Sequence, residues 1–195
     1  MNTDKTLERG EVLRMIVDHV GDDVCLISPL GYITRDLFSL TAERREQCFY
    51  CMGSMGSVVP LALGVSLSSP AKRVFAIEGD GSLLMNLGAL VTLRRYGKGK
   101  ILLFVFDNRC YESTGGQPSQ PQGFNIEEVC RAAGLETSVA TDTREIEQFF
   151  ELRKTTPDSP AVLVIKVALA PPRVRVDEEP KLIADRFSNW LSRRR

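Results

Sequence analysis

Gly79-Asp80-Gly81-Ser82 and Asp107-Asn108 are the two stretches whose reading decides the fold. Each stands directly after an apolar β run, Arg73 to Ile77 in the first case and Ile101 to Phe106 in the second. Both runs are continuous in Val, Phe, Ala, Ile or Leu, as strands covered on two faces are. Between them lies a helix pattern, Ser82 to Arg95, with Leu83, Leu84, Leu87, Leu90 and Val91 at helical spacing and Gly97 as stop. Strand, turn, helix and strand make a βαβ unit, whose parallel neighbours lie ~4.8 Å apart. Ligands of open parallel sheets gather beyond the carboxyl ends of the strands. The residues at those ends are therefore the first candidates for function.

The same alternation extends outward. Val24 to Ile27 reads as a strand, Thr34 to Leu40 as a short helix and Phe49 to Met52 as another strand. Gly53-Ser54-Met55-Gly56 turns into an apolar helix, Ser57 to Ser68. Downstream, Glu127 to Ala133 and Thr143 to Arg153 read as helices and Ala161 to Val167 as a strand. The pattern predicts an α/β fold, a doubly wound, mostly parallel sheet with helices on both faces, over residues 1–168. Residues 169–195 form a separate stretch. Ala170-Pro171-Pro172 and Glu178-Glu179-Pro180 bracket a linker, and Leu182 to Arg193 is an amphipathic helix expected to dock on the domain or on its dimer mate. The terminal Arg193-Arg194-Arg195 suits a helix C-terminus electrostatically.

Composition narrows the class. At 195 residues, 43% hydrophobic and 26% charged, the chain is globular, and its 25 basic residues balance 25 acidic ones. No global field favours nucleic acid or anionic lipid. The longest apolar stretch, Val58 to Leu67, is too short to span a membrane, and Met1 to Lys5 is polar, so a cytoplasmic protein is expected. Cys48 and Cys51 form a C-x-x-C, but a closed zinc site needs four ligands and the single histidine, His19, is remote in sequence. These thiols read as half-buried strand residues.

The chemistry concentrates where the glycines are. Gly79 and Gly81 allow close backbone approach, and Ser82 with the N–H groups of a helix start suits a phosphate. Asp80 and Asn108, at the ends of adjacent strands, could reach one ion. A carboxylate, an amide and a carbonyl beside a phosphate form the all-oxygen set of Mg²⁺. A Gly-rich loop, Ser113-Thr114-Gly115-Gly116-Gln117-Pro118, follows.

Gly79-Asp80-Gly81, twenty-six further residues and then Asn108 resemble the thiamine diphosphate motif of the 2-oxo acid decarboxylase superfamily. Phe49 to Gly56, Gly79 to Gly88 and Ser113 to Pro118 are similar to the sulfopyruvate decarboxylase beta subunit and the C-terminal half of phosphonopyruvate decarboxylase. The likeness runs from about Gly21 to Val167. It implies that Asp80, Asn108 and the Cys110 carbonyl hold Mg²⁺, and that Gly81 and Ser82 hold the diphosphate. The Gly53 carbonyl would accept from the pyrimidine amine, and Ser54 belongs to the same turn. Met55 would be the apolar wedge that bends the cofactor, its alternative being core packing. Thr114 would line the diphosphate or the substrate mouth.

The resemblance further implies a small anionic 2-oxo acid as substrate, losing CO₂ to give an aldehyde, with the cofactor as electron sink. No catalytic acid is expected in this chain, because Glu78 lies at the wrong end of the cofactor. A pyrimidine-binding partner subunit would supply the catalytic Glu, in a hetero-oligomer with at least two copies of each chain. Two departures stand out: Ser28-Pro29-Leu30-Gly31 replaces the subgroup's Asn-x-Gly, and Arg109 is bulky where small residues are common. Arg109 either reads a substrate anion or pairs with an acid such as Glu112. Rival readings are a carboligase subunit of acetolactate synthase type, a non-catalytic subunit, or a phosphate-binding α/β module.

Overall fold

A computed structural model describes residues 6–69, 73–155, 159–171 and 174–193. Met1 to Lys5, Pro172 and Arg194-Arg195, which figure in the sequence reading, lie outside them. In chain order the strands are β1 (Val24–Ser28), β2 (Cys48–Tyr50), β3 (Arg73–Gly79), β4 (Ile101–Asp107), β5 (Cys110–Tyr111), β6 (Gln117–Pro118), β7 (Glu136–Ala140) and β8 (Ala161–Lys166). The helices are α1 (Arg9–Asp18), α2 (Tyr32–Leu40), α3 (Val58–Ser68), α4 (Asp80–Leu84), α5 (Gly88–Tyr96), α6 (Ile126–Ala132), α7 (Thr143–Thr155) and α8 (Pro180–Ser192).

Six strands form one parallel sheet in the order β2-β1-β3-β4-β8-β7, while β5 and β6 make a small antiparallel hairpin. Side chains alternate across a strand, and the two cores divide accordingly. Phe75 and Ile77 of β3, Leu102, Phe104 and Phe106 of β4 and Leu163 and Ile165 of β8 face α1 and α7. Val74 and Ala76, Ile101, Leu103 and Val105, and Val162 and Val164 face α3, α5 and α6. Phe104 stands edge-on to Phe75 at 5.4 Å and to Phe149 of α7 at 6.0 Å. Chain order reverses between β1 and β3, which makes the carboxyl ends of these two strands the switch point where an open α/β sheet opens a crevice.

Four elements differ from the sequence reading. The expected helix Ser82 to Arg95 is two helices, interrupted at Met85 to Leu87. Its side chains bind the neighbouring loop: Asn86 Nδ2 donates to the Gly56 carbonyl at 3.0 Å, and Gly56 N donates to Ser82 Oγ at 3.0 Å. The strand expected to reach Met52 ends at Tyr50. Helix α1 went unread although Val12, Leu13, Ile16 and Val17 are buried at helical spacing, and Glu8 caps it by accepting from Gly10 N and Glu11 N. Strand β7 went unread because Glu-Thr-Ser-Val-Ala is an edge strand exposed enough to be polar.

Of the two dockings open to the last helix, α8 takes the one on its own domain. Ile183, Phe187 and Trp190 are buried, and the helix covers the β2 edge. Cys48 and Cys51 are fully buried rather than half-buried.

Two glycines give a test with opposite signs. Gly56 has φ +76°, and a Cβ there would meet Asn86 Cβ at 2.8 Å, whereas a Cβ on Gly64 in α3 meets nothing within 4 Å. Gly56→Ala is expected to cost about 1–3 kcal/mol, and Gly64→Ala to stabilise by about 0.5–1 kcal/mol, both read from urea unfolding midpoints.

Candidate cofactor and metal site

At the switch point the chain leaves β1 through Leu30-Gly31 and β3 through Gly79-Asp80, and a cavity of about 120 Å³ opens between these exits. Met55, Gly79, Asp80, Gly81, Ser82, Asn108, Cys110 and Thr114 all line it. Eight of the sequence-predicted site residues are thus brought together by β3, β4, the hairpin and the Gly53–Gly56 turn. Gly53 lines a second cavity, which shares only Leu30 and Gly31 with the first. Ser54 is exposed and lines neither, as does Arg109.

The register places Gly79 against Phe106, so Asp80 follows one strand beside Asp107 ending the next. Asp80 is buried, and its Oδ2 accepts from Ser119 Oγ and from Gln120 Nε2 at 3.2 Å. Burial holds its carboxyl above the ordinary range, the negative charge of Asp107 adds to this, and the Ser119, Gln120 and Gly81 donors offset part of it. No ion pair reaches Asp80 among the described residues. Asp107 differs: Lys166 Nζ lies 2.7 Å from it, and Gln120 Nε2 donates to its Oδ1 at 2.7 Å. Burial alone would lower Lys166, but Asp107 and Glu127 outweigh it and hold the ammonium above its usual value.

After β4 the backbone turns sharply. Asp107 Oδ1 accepts from Arg109 N at 3.2 Å and Asn108 Oδ1 from Cys110 N at 3.1 Å, the turn-forming bonds for which Asp and Asn are suited. Arg109 sits at φ +60°, the only non-glycine among the described residues in that region. Asn108 Nδ2 donates to Glu112 Oε2 at 3.1 Å, which turns the amide and fixes where its oxygen points. Glu112 is held in turn by Arg9 at 2.6 Å and by Ala170 N at 2.7 Å, while Arg9 Nε donates to Asp36 at 2.8 Å. Arg9 is 1% exposed, a guanidinium fully committed to two carboxylates and the Ala170 carbonyl.

One expectation is corrected here. Glu112 pairs with Arg9, not with Arg109, whose guanidinium donates instead to the carbonyls of Pro121 and Phe124 at 3.3 and 3.2 Å. The Ser82 hydroxyl is engaged with Gly56 N, so it fixes the turn that carries Met55. Glu78, beneath the cavity floor, accepts from Gly79 N at 3.2 Å, and burial pushes its carboxyl up to about 7 while the Ser82 hydroxyl pulls the other way.

The residues fit a hard cation with a phosphate. Asp80 is a buried carboxylate with no ion pair among the described residues, and Asn108 and Cys110, which offer an amide oxygen and a backbone carbonyl, line its cavity. The cradle is also steric: a Cβ on Gly81 would stand 2.4 Å from the Tyr111 ring. Sequence reasoning missed Ser119, Gln120, Tyr111 and Arg9. The first two follow the Gly-rich loop as an unremarkable Ser-Gln, and Arg9 lies a hundred residues away from its partner Glu112.

Fold and cavity together define an α/β domain with an acidic, phosphate-sized crevice at its switch point. Residues 31–167 match the family described as "Thiamine pyrophosphate enzyme, C-terminal TPP binding domain", and the chain belongs to that family. It is 34% identical over 145 residues to sulfopyruvate decarboxylase subunit beta of Methanocaldococcus jannaschii, covering 74% of this chain and 76% of the relative. The protein of the same name in Methanothermobacter thermautotrophicus is 36% identical over 142 residues, covering 73% and 75%. Phosphonopyruvate decarboxylase of Streptomyces viridochromogenes is 35% identical over 126 residues, which are 65% of this chain but 31% of that longer one. Among solved structures, a protein from Mycobacterium smegmatis described as thiamin diphosphate-dependent superposes with TM-score 0.69 at 25% identity, over 84% of this chain and 32% of that one. The thiamine diphosphate-dependent 4-hydroxybenzoylformate decarboxylase of Rhodococcus jostii RHA1 gives 0.73 at 16% identity, over 87% and 34%, a likeness of fold alone. This chain spans about a third of either.

The thiols offer a check on the burial pattern. Cys25, Cys48, Cys51 and Cys130 are buried, and burial raises Cys48 and Cys130 to about 11 and Cys51 to about 12; Cys110 is half-exposed. At pH 8 a thiol reagent is expected to label Cys110 alone in the folded protein and all five in denaturant. Fast labelling of Cys48 or Cys51 by mass spectrometry would contradict this packing.

Proposed function

We propose that this chain is the diphosphate- and Mg²⁺-binding subunit of a thiamine-diphosphate-dependent decarboxylase acting on a small anionic 2-oxo acid such as sulfopyruvate or phosphonopyruvate. The observation that carries the reading is Asp80, a buried carboxylate with no ion-pair partner among the described residues, sharing a cavity with Asn108 and Cys110 in a chain of this family. Asp80, the Asn108 amide oxygen and the Cys110 carbonyl hold Mg²⁺, and Gly79 and Gly81 leave room for the diphosphate. Ser82 and Asn86 clamp the Gly53–Gly56 turn, so that Met55 stands at the cavity wall as the apolar element against which the cofactor bends. Thiamine diphosphate, when bound, supplies the electron sink that lets CO₂ leave a 2-oxo acid. The chain's own contribution is to hold the cation that neutralises the diphosphate, fix the diphosphate's orientation and keep that wall dry.

Its relatives of similar length carry the name "subunit beta", and we place the catalytic Glu on a pyrimidine-binding partner in a hetero-oligomer. Surface chemistry supports a partner. Helix α3 is apolar all round and leaves Pro60, Gly64 and Leu67 exposed, and Met52, Met85 and Val91 are exposed on neighbouring segments. No helix among the described residues is long and apolar enough to cross a membrane.

Calorimetric titration of thiamine diphosphate with and without Mg²⁺ tests the assignment. Asp80→Ala is expected to abolish Mg²⁺-dependent binding with an unchanged far-ultraviolet spectrum. Glu112→Gln weakens the hold on the Asn108 amide and should lower Mg²⁺ affinity roughly 10–100-fold. Wild-type affinity in Asp80→Ala would refute the metal site. The chain alone with cofactor and Mg²⁺ is expected to release no CO₂ from any 2-oxo acid, and turnover without a partner would refute the split site.

A further inference from the structure

Beside the acidic cavity lies the second one, about 390 Å³, walled by Leu30 and Gly31 in common with the first. It opens beyond the carboxyl ends of β1 and β2, where Gly53 holds φ +108° and a Cβ would meet nothing within 4 Å. Its charged lining is of one sign: Arg35 and Arg175, with no Asp or Glu. The charged lining of the first cavity is of the other sign, Asp80 and Glu112 without Lys or Arg.

Elsewhere in the fold several buried or half-buried guanidinium groups find carboxylates, although half-buried Arg44 donates to the Val20 carbonyl. Arg9 has Asp36 and Glu112, Arg45 and Arg186 share Glu178, and Arg153 has Glu136. Arg35 and Arg175 form no ion pair among the described residues. Arg35 is half-buried on α2, with its guanidinium 5.3 Å from the centre of the Tyr32 ring, a contact that holds the side chain without neutralising it. Arg175, itself exposed, is carried by the segment between β8 and α8, which is anchored just beyond it on either side of Asp177. Val176 packs on the core, and Glu178 accepts from Arg45 at 2.8 Å and from Arg186 at 3.0 and 2.7 Å. Two guanidinium groups lining one concavity repel each other, and an anion between them relieves that repulsion. The planar fork of arginine suits a carboxylate, sulfonate or phosphonate, which it can grip with two parallel bonds.

We propose that the second cavity seats the substrate and that Arg35, seconded by Arg175, reads the second anionic group of a dianionic 2-oxo acid. The inference rests on the decarboxylase reading and deepens it: it moves anion recognition away from Arg109, whose guanidinium is spent on two carbonyls outside both cavities. Selectivity then comes from α2 and from the segment preceding α8.

The test uses the complex of this chain with its partner, loaded with thiamine diphosphate and Mg²⁺. The variants are Arg35→Met, which keeps an apolar stem over Tyr32, Arg35→Lys, Arg175→Met and, as a comparison, Arg109→Met. The preference for sulfopyruvate over pyruvate, as a ratio of kcat/KM, is expected to fall at least tenfold in Arg35→Met, through KM. A smaller fall is expected in Arg175→Met, a partial return in Arg35→Lys and the wild-type ratio in Arg109→Met. Calorimetry with sulfoacetate, a dianion that cannot react, is expected to show at least tenfold weaker binding in Arg35→Met than in wild type. An unchanged ratio, equal losses for both substrates, or sulfoacetate binding indifferent to Arg35 would overturn this inference while leaving the cofactor reading intact. A wild-type complex that binds no thiamine diphosphate with Mg²⁺ would overturn the cofactor reading itself.

Discussion

Asp107 ends β4 and Asp80 directly follows β3, its parallel neighbour, and the sheet brings their carboxylates to neighbouring positions in a buried setting. At a strand spacing of ~4.8 Å and an effective dielectric of about 20, two such charges repel by on the order of 3 kcal/mol. The fold relieves this on one side only. Lys166, the register partner of Asp107 on β8, neutralises it, and the Gln120 amide donates to both carboxylates. Asp80 keeps an uncompensated charge, and burial raises its proton affinity accordingly. A buried carboxylate in that condition either takes a proton or takes a cation. In the metal site proposed above, the oxygen donors around it, from the Asn108 side chain and the Cys110 backbone, favour the cation, and the remainder of the crevice serves that demand.

The demand reaches far along the chain. Asn108 is oriented by Glu112, Glu112 by Arg9 of the first helix and by the Ala170 backbone, and Arg9 also by Asp36 of α2. Removing the guanidinium would strand two carboxylates of low exposure, a loss of about 3–5 kcal/mol by comparison with other broken buried pairs. On the opposite wall, the interruption of the expected long helix at Met85 to Leu87 supplies the clamp on Gly56. A straight helix would carry Asn86 onto a regular face; the break frees its amide to reach the loop. Local helical regularity is given up where the site needs a polar side chain.

How much of this the sequence disclosed follows from range. The central strands were plain because double burial demands unbroken apolar runs, and Gly79-Asp80-Gly81 with Asn108 was plain because both stand within a few residues of a strand end. Eight of the proposed site residues meet in one cavity for that reason. What stayed hidden depends on pairings between distant segments. Arg9 reads as a surface charge until Glu112 is seen beside it, and Ser119 and Gln120 read as loop filler until they are found on Asp80. Arg109 stands out in the sequence by following Asn108, but a left-handed backbone sends its side chain to Pro121 and Phe124. Arg35 does not stand out, because nothing in a helix of mixed composition marks which arginine has no ion pair among the described residues.

The division of the chain at residue 168 also takes on a different meaning. Composition changes there, since prolines and charges replace apolar periodicity, yet the segment beyond it is bound into the site. The Ala170 carbonyl and amide grip Arg9 and Glu112, Val176 packs on the core, and α8 covers the edge that β2 would otherwise present to another strand. The turn after β4 and the arginines of the second cavity therefore depend on residues that sequence composition sets apart. Shortening the chain after β8 would leave the sheet and its apolar faces largely complete. It would remove the Ala170 contacts that hold Glu112 against Asn108, the anchors beside Arg175 and the cover of β2 together. The sheet supplies the place for a cofactor, and the last segment closes the polar network that makes the place specific.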